Sequence, residues 1–124
     1  MTLEYETSQE GMLAVFKDWQ IVAMRVLWDH PDGANSRTVY DEVNKRLSPS
    51  TISRASVINF LNAMLRMGVL SGIEETGRGG TYLTYSAAMK EAEFKRFVAE
   101  TILGSLLENF PDETRAALAK YSEG

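Results

Sequence analysis

Residues 50–85, STISRASVINFLNAMLRMGVLSGIEETGRGGTYLTY, decide the fold of this chain. Ser53 is a good helix N-cap, because its hydroxyl can accept a hydrogen bond from a free amide of the first turn. Gly68 is a good helix stop, because glycine adopts the left-handed conformation without a Cβ clash. Two β-rich runs, 70–75 and 81–85, then flank a tip rich in glycine and arginine. A helix followed by such a hairpin is the order of recognition helix and wing in a winged helix-turn-helix.

The apolar residues of the predicted helix recur at the spacing of a single helical face. Val57, Leu61, Met64 and Leu65 stand at i, i+4, i+7 and i+8, which predicts a buried stripe. The opposite face is small and polar, and no acidic residue occurs between positions 48 and 73. Asparagine and serine can read base edges, and arginine can contact phosphates. The predicted DNA-binding residues are Arg54, Ala55, Ser56, Asn59, Asn62 and Arg66 on the helix and Arg78 at the wing tip.

The preceding sequence supplies two more helices. Residues 12–28 are rich in apolar side chains at helical spacing, and Pro31 and Gly33 mark the turn that follows. Ser36 is predicted to cap a second helix. Residues 1–11 are polar and are predicted to be poorly ordered or loosely docked. Three helices and a hairpin, in this order, predict a mainly α fold with a small β-hairpin wing.

A long helix is predicted from about 88 to 109, with more apolar surface than the winged helix can cover. Pro111 interrupts it and suits the first position of another helix. The surplus surface predicts a homodimer, although the helix could also fold back on its own chain. The predicted dimerisation residues are Phe94, Phe97, Val98, Ile102, Leu103, Leu106, Leu107 and Phe110. We therefore predict a DNA-binding domain at 12–87 and a helical dimerisation arm at 88–124.

Composition argues against several other classes of protein. The net charge is −4 over 124 residues, but residues 25–85 hold seven basic and six acidic side chains, the least negative part of the chain. A local field can attract DNA although the whole chain is acidic. There is no cysteine, no apolar run near the ~18 residues of a membrane span, and an acidic start unlike a secretory signal. We expect a cytoplasmic protein without cofactor, metal or membrane partner.

Enzymatic chemistry has little support in the sequence. The lone histidine, His30, falls in a predicted turn without a second imidazole or a thiol, so neither a metal site nor acid–base catalysis is expected. Glu74 and Glu75 are adjacent in a predicted strand and point to opposite faces, so they do not converge.

Taken together, these segments resemble the penicillinase-repressor (BlaI/MecI) winged-helix family. The matching pieces are MRVLW at 24–28, RTVYDEV at 37–43, Ala-Ser-Val at 55–57 through Leu61, Leu65 to Gly-Val-Leu at 68–70, Gly-Arg at 77–78 and Thr-Tyr at 84–85. The resemblance covers about residues 18–86. It implies a homodimeric transcriptional repressor that binds a pseudo-palindromic operator, with Ala55, Ser56 and Asn59 facing bases.

The resemblance leaves the switching mechanism open. The segment LLENF at 106–110 is similar to the family's proteolytic switch, which is cut between Asn and Phe, here Asn109 and Phe110. Because Pro111 follows directly, the segment fits better as a hydrophobic helix end before a helix-starting proline. The copper-responsive members carry a C-terminal cysteine cluster, and the absence of cysteine excludes that mode. The inducer is not indicated.

Two other functions stay open at this stage. Winged helices also serve as protein-interaction modules, and the acidic balance of the chain is compatible with that use. A ligand-gated regulator of another winged-helix family, with an effector pocket between wing and dimer helices, is the second alternative. Retention on DNA that depends on salt would separate the first alternative from a DNA-binding regulator. Loss of DNA retention when a ligand is added would identify a ligand-gated regulator.

Overall fold

The computed structural model describes residues 2–122, and within them the predicted winged-helix fold is confirmed. A short 3-10 helix, Gly11–Ala14, precedes the α-helices α1 (Asp18–Asp29), α2 (Ser36–Leu47), α3 (Arg54–Arg66), α4 (Glu91–Asn109) and α5 (Pro111–Tyr121). The strands are β1 (Ala34–Asn35), β2 (Leu70–Gly77) and β3 (Gly80–Ala87). They form an antiparallel sheet in the order β1-β3-β2.

The wing is longer than the sequence predicts. Pairing runs from Leu70 opposite Ala87 to Gly77 opposite Gly80, which leaves a loop of only Arg78 and Gly79. Gly80 has a φ of 103°, a value that favours glycine and allows the chain to reverse in so short a loop. Residues that the pattern assigned to a wide tip are therefore strand residues.

A single hydrophobic core lies where α1, α2 and α3 meet the base of the wing. The predicted inner face of α3 is confirmed, since Val57, Leu61 and Met64 are fully buried and Leu65 packs against them. Val39 and Val43 bring α2 into the same cluster. The burial of this stripe fixes which face of α3 remains on the surface.

Two helix starts differ from the prediction. Helix α1 begins at Asp18 rather than near Met12, and the backbone N–H of Lys17, just before it, donates to Gln20 Oε1 at 2.9 Å. Helix α2 is capped by Asn35, one residue before the predicted Ser36. The Asn35 side chain accepts from the Thr38 N–H at 2.9 Å.

The segment before α1 is more firmly docked than its polarity predicts. Leu3 and Val15 pack against the core, and Phe16 belongs to it. The backbone N–H of Glu6 donates to the Ala14 carbonyl at 2.7 Å, which closes a loop on the domain. Within the described part of residues 1–11, Leu3 and Glu6 therefore attach the chain to the domain.

The start of α4 belongs to the same core. The Phe94 ring is fully buried, with centroids 5.4 Å from Phe16 and 5.8 Å from Trp28. The Trp28 indole N–H donates to the Met89 carbonyl at 2.9 Å, just before the helix. The prediction of Phe94 as a dimerisation residue is corrected, because its own chain already covers the ring.

The rest of α4 and all of α5 extend from this core. Helix α5 packs chiefly against α4 and has no buried residue. Pro111 stands at the first position of α5, as predicted. Residues 123–124, the last two of the predicted arm, lie outside the described part of the chain.

Candidate nucleic-acid interface

The position of α3 follows from its two ends. The Ser53 hydroxyl accepts from the Ser56 N–H at 3.1 Å, so the predicted cap is confirmed. Gly68 has a φ of 78° and ends the helix in the left-handed conformation. Between these ends the inner stripe is buried, and Arg54, Ala55, Asn59 and Arg66 are exposed on the outer surface.

A shallow polar groove of about 340 Å³ runs beside this outer surface. Ser56, Asn59 and Arg66 line it from α3. Trp19 and Gln20, at the start of α1, line it from the other side. Periodicity does not predict that these α1 residues lie next to α3, because their proximity depends on how the two helices pack.

Asn62 differs from its predicted role. It is partly buried, and its side-chain oxygen accepts a hydrogen bond of 2.8 Å from the Tyr85 hydroxyl of β3. Burial of the Tyr85 ring raises the pKa of its hydroxyl, which keeps the donor protonated. Asn62 thus connects α3 with the wing. Ala63, the next residue on α3, is buried in the core.

The wing tip projects a single cation. Arg78 is exposed in the two-residue loop between β2 and β3. Next to it, a Cβ on Gly77 would lie 2.9 Å from the Tyr82 ring, so the ring covers the backbone at the base of the tip. Glu74 and Glu75 follow on β2, and the Thr84 hydroxyl donates to Glu75 at 2.6 Å. The wing thus carries both signs of charge.

The arginines of this surface have no acidic partner. Arg46 and Arg96, by contrast, form salt bridges, with Asp29 at 2.9 Å and with Glu100 at 2.7 Å. Over residues 2–122, no carboxylate lies within 4.0 Å of Arg54, Arg66 or Arg78. Their guanidinium groups are available for an external anion.

The turn before α3 is held by a side chain that the sequence did not single out. Asn44 of α2 accepts from the Ile52 N–H at 2.7 Å and donates to the Ile52 carbonyl at 3.3 Å. The same amide nitrogen donates to the Tyr40 carbonyl at 2.9 Å. Two hydrogen bonds from one side chain therefore hold Ile52 just before α3, and a third holds that side chain against α2.

Other reactive groups form no further site in the described chain. His30 Nε2 lies 2.9 Å from Glu42 Oε2, and Arg46 also reaches Glu42, at 3.7 Å. Across residues 2–122 no three side chains of His, Cys, Asp or Glu are grouped as metal ligands. No helix in this range is both long and apolar enough to span a membrane.

The remaining predicted dimerisation residues differ in exposure. Phe97 and Val98 pack partly against the core. Ile102, Leu103 and Leu107 are partly buried, and Leu106 and Phe110 are exposed. The apolar surface available to a partner therefore increases toward the end of α4.

A family model described as penicillinase repressor matches residues 17–123, which include the winged helix and the C-terminal helices. The match is longer than the resemblance seen in the sequence, which ended near residue 86. No curated protein matches the chain.

Proposed function

The chain belongs to the penicillinase repressor family, and we propose that it represses transcription as a homodimer bound to a pseudo-palindromic operator. Each copy would present α3 to a major groove and its wing to the adjacent backbone or minor groove. DNA binding and repression are the general activity of the family. The dimer, the symmetry of the operator and the roles of individual residues are the proposal.

The acid-free outer face of α3, with its unpaired arginines, carries this proposal. Arginines without carboxylate partners can neutralise phosphates without first breaking an ion pair. Arg54 and Arg66 stand near opposite ends of α3, as phosphate contacts on either side of a groove would require. The net charge of −4 disfavours general binding to DNA, so specific contacts have to supply more of the affinity.

Residue roles follow from chemistry and exposure. Asn59 is exposed and can pair with an adenine edge, and the Ser56 hydroxyl can serve several bases. Ala55 offers a methyl group, which suits contact with a thymine methyl. Arg78 would contact phosphate or enter the minor groove from the wing tip. We assign Asn62 to positioning the wing, since Tyr85 occupies its side-chain oxygen.

We propose that residues 12–87 bind DNA and that residues 88–124 supply most of the dimer contacts, with the ring of Phe94 anchoring α4 to the DNA-binding part. The exposed apolar side chains of the arm support this division. Leu106 and Phe110 at the end of α4, and Leu118 and Tyr121 on α5, are exposed in the single chain. Apolar side chains exposed on both helices of the arm offer surface to a partner.

Selection from a random duplex library at moderate salt tests the function. A two-fold dimer should enrich a pseudo-palindrome with half-sites one or two helical turns apart, at about 10–10.5 base pairs per turn. The whole site should bind far more tightly than a half-site, because both recognition helices must engage together. If no motif is enriched at any salt concentration, the function is rejected and a protein-interaction module is favoured.

A further inference from the structure

An apolar groove of about 470 Å³ lies between α4 and the segment that precedes the family match. Val98, Ile102, Leu103 and Leu106 line it from α4. Tyr5, Met12 and Val15 line it from the segment of residues 2–16, called here the N-terminal segment. Lys95 is the one charged lining residue, and its Nζ lies 3.3 Å from Glu91. The groove is therefore suited to apolar side chains.

The N-terminal segment is built into the fold as a wall of this groove. The hydrogen bond from Glu6 to Ala14 holds its loop, and Phe16 anchors its end against Phe60 and Phe94. Tyr5 nevertheless remains 57% exposed, at the edge of the groove. An exposed aromatic ring on a segment that is packed firmly against the domain is typical of a surface that contacts another protein.

Helix α5 offers the complementary surface on the same chain. Leu118 is 41% exposed and Tyr121 is 77% exposed. No α5 residue lines the groove, because α5 packs chiefly against the side of α4. Within one chain the groove and the apolar side of α5 do not meet. In a two-fold dimer, α5 of each copy could pack into the groove of the other, which would bury both surfaces.

The charges of the two surfaces are also complementary. The N-terminal segment holds three acidic residues, Glu4, Glu6 and Glu10, and no basic one. Helix α5 has two acidic residues, Asp112 and Glu113, in its first turn, and two basic residues, Arg115 and Lys120, in the part that carries Leu118 and Tyr121. Over residues 2–122, neither these two basic side chains nor the three glutamates of the N-terminal segment are in a salt bridge. Opposite charges would therefore rim the apolar contact, as is usual for protein interfaces.

We propose that the N-terminal segment is part of the dimer interface and helps to form the groove that receives α5 of a second copy. This inference rests on the homodimer of the proposed function. It assigns to that dimer a surface outside the family match, which begins at residue 17. The segment would then decide which chains this protein can dimerise with, independently of the operator sequence.

Sedimentation of the Tyr5→Asp variant tests the contribution of the segment. A carboxylate placed in an apolar contact should raise the dimer dissociation constant by roughly tenfold or more. Tyr82→Asp, on the wing, is the matched control, because Tyr82 is 42% exposed and does not line the groove. It should leave the constant unchanged. Since both tyrosines are exposed in the single chain, both variants should fold, and circular dichroism checks this.

Cysteine cross-linking identifies the occupant of the groove. Because the chain has no native cysteine, only the introduced thiols can react. A Tyr5→Cys chain mixed with a tagged Leu118→Cys chain should form a heterodimer with a short thiol cross-linker. Ile73→Cys, exposed on the wing, should not cross-link to Leu118→Cys. A dimer that shows no cross-link between positions 5 and 118, or no effect of Tyr5→Asp, overturns the inference while leaving the proposed function intact. A wild-type chain that is monomeric and selects no operator overturns both.

Discussion

The Tyr85 hydroxyl donates a hydrogen bond of 2.8 Å to the side-chain oxygen of Asn62 and thereby ties the wing to α3. Tyr85 also pairs with Ala34 of β1, so the same residue joins the wing to the strand before α2. The ring is almost fully buried, and this fixes the direction of the hydroxyl. The angle between α3 and the wing, on which the proposed docking to two grooves depends, is thus set by interior contacts.

Tyr85→Phe should lower the free energy of unfolding by about 0.5–1.5 kcal/mol, the usual net contribution of one hydrogen bond. The ring and its packing are kept, so the loss reports the hydrogen bond to Asn62. Urea denaturation at neutral pH measures it. Tyr82→Phe is the matched control, and it should stay close to wild type because that ring is exposed. Equal effects of the two changes would contradict a structural role for the bond.

The same bond should weaken in alkaline solution. Burial raises the pKa of Tyr85 above the ordinary tyrosine value of 10.0, so the folded state favours the neutral hydroxyl. A raised folded-state pKa means that this stability is fully present below pH 10 and is lost as the pH rises above it. The difference in stability between wild type and Tyr85→Phe should therefore shrink above pH 10. A constant difference through that range would count against this coupling.

Asn44→Ala should both destabilise the chain and weaken operator binding. It removes the partners of the Ile52 N–H and carbonyl at the entrance to α3, and leaving partly buried polar groups unpaired costs about 1–3 kcal/mol. Thermal unfolding and operator titration measure the two effects. Lys45→Ala, at the exposed neighbouring position, is the control for a change in α2 alone. An unchanged unfolding temperature for Asn44→Ala would show that the turn does not depend on this side chain.

Sequence reasoning succeeded where local chemistry determines the structure. Ser53 and Gly68 carry the signals that begin and end α3, and each acts within its own turn. Pro111 is likewise sufficient to start α5. The order of three helices and a hairpin follows from such signals, and so the fold class could be read from the chain.

The errors concern contacts between distant parts of the chain. β1 has two residues and no propensity signal, and it forms because Ala34 and Asn35 pair with β3. Asn62 has the helical phase of a surface residue, but the wing folds onto that side of α3. Phe94 continues the apolar stripe of α4, yet Phe16 and Trp28 cover it. Helical periodicity identifies an apolar or polar face and not what lies against it.

Phe94→Ala should destabilise the single chain without acting on the dimer contacts directly. Removing a fully buried phenylalanine costs about 3–5 kcal/mol, through lost burial and the cavity left behind. Chemical denaturation at concentrations low enough to keep the chain monomeric measures this. Leu106→Asp should behave in the opposite way, weakening the dimer in sedimentation and leaving monomer stability nearly unchanged, since Leu106 is exposed. The same response from both variants would reject the division between core and interface within α4.

Arg66→Ala should reduce binding to all DNA sequences about equally. An arginine that contacts phosphate contributes affinity without reading bases, and its loss should lower the slope of log affinity against log salt by about one. Arg25→Ala on α1 removes the same charge from an exposed position away from the proposed DNA face. It should leave the slope nearly unchanged. If both variants lower the salt slope equally, Arg66 affects DNA binding only through the net charge of the protein and not through a direct phosphate contact.

Asn59→Ala should change the operator preference itself. The side chain is exposed on the outer face of α3 and lines the groove beside Ser56. If it pairs with a base edge, its loss should cost about 1–3 kcal/mol at one position of each half-site and relax the preference there. Competition between operators altered one base pair at a time measures the effect.

Asn62→Ala, on the same helix, distinguishes a residue that contacts bases from one that positions the wing. Its amide holds Tyr85, so its loss should weaken every operator by a similar factor and leave the order of preference intact. A one-position loss for Asn59→Ala beside a uniform loss for Asn62→Ala would support the assignment of the two asparagines. If Asn62→Ala relaxes a single position while Asn59→Ala acts uniformly, the face of α3 that meets DNA is rotated from the one proposed. Because both substitutions remove the same amide from one helix, differences in helix propensity cannot account for either outcome.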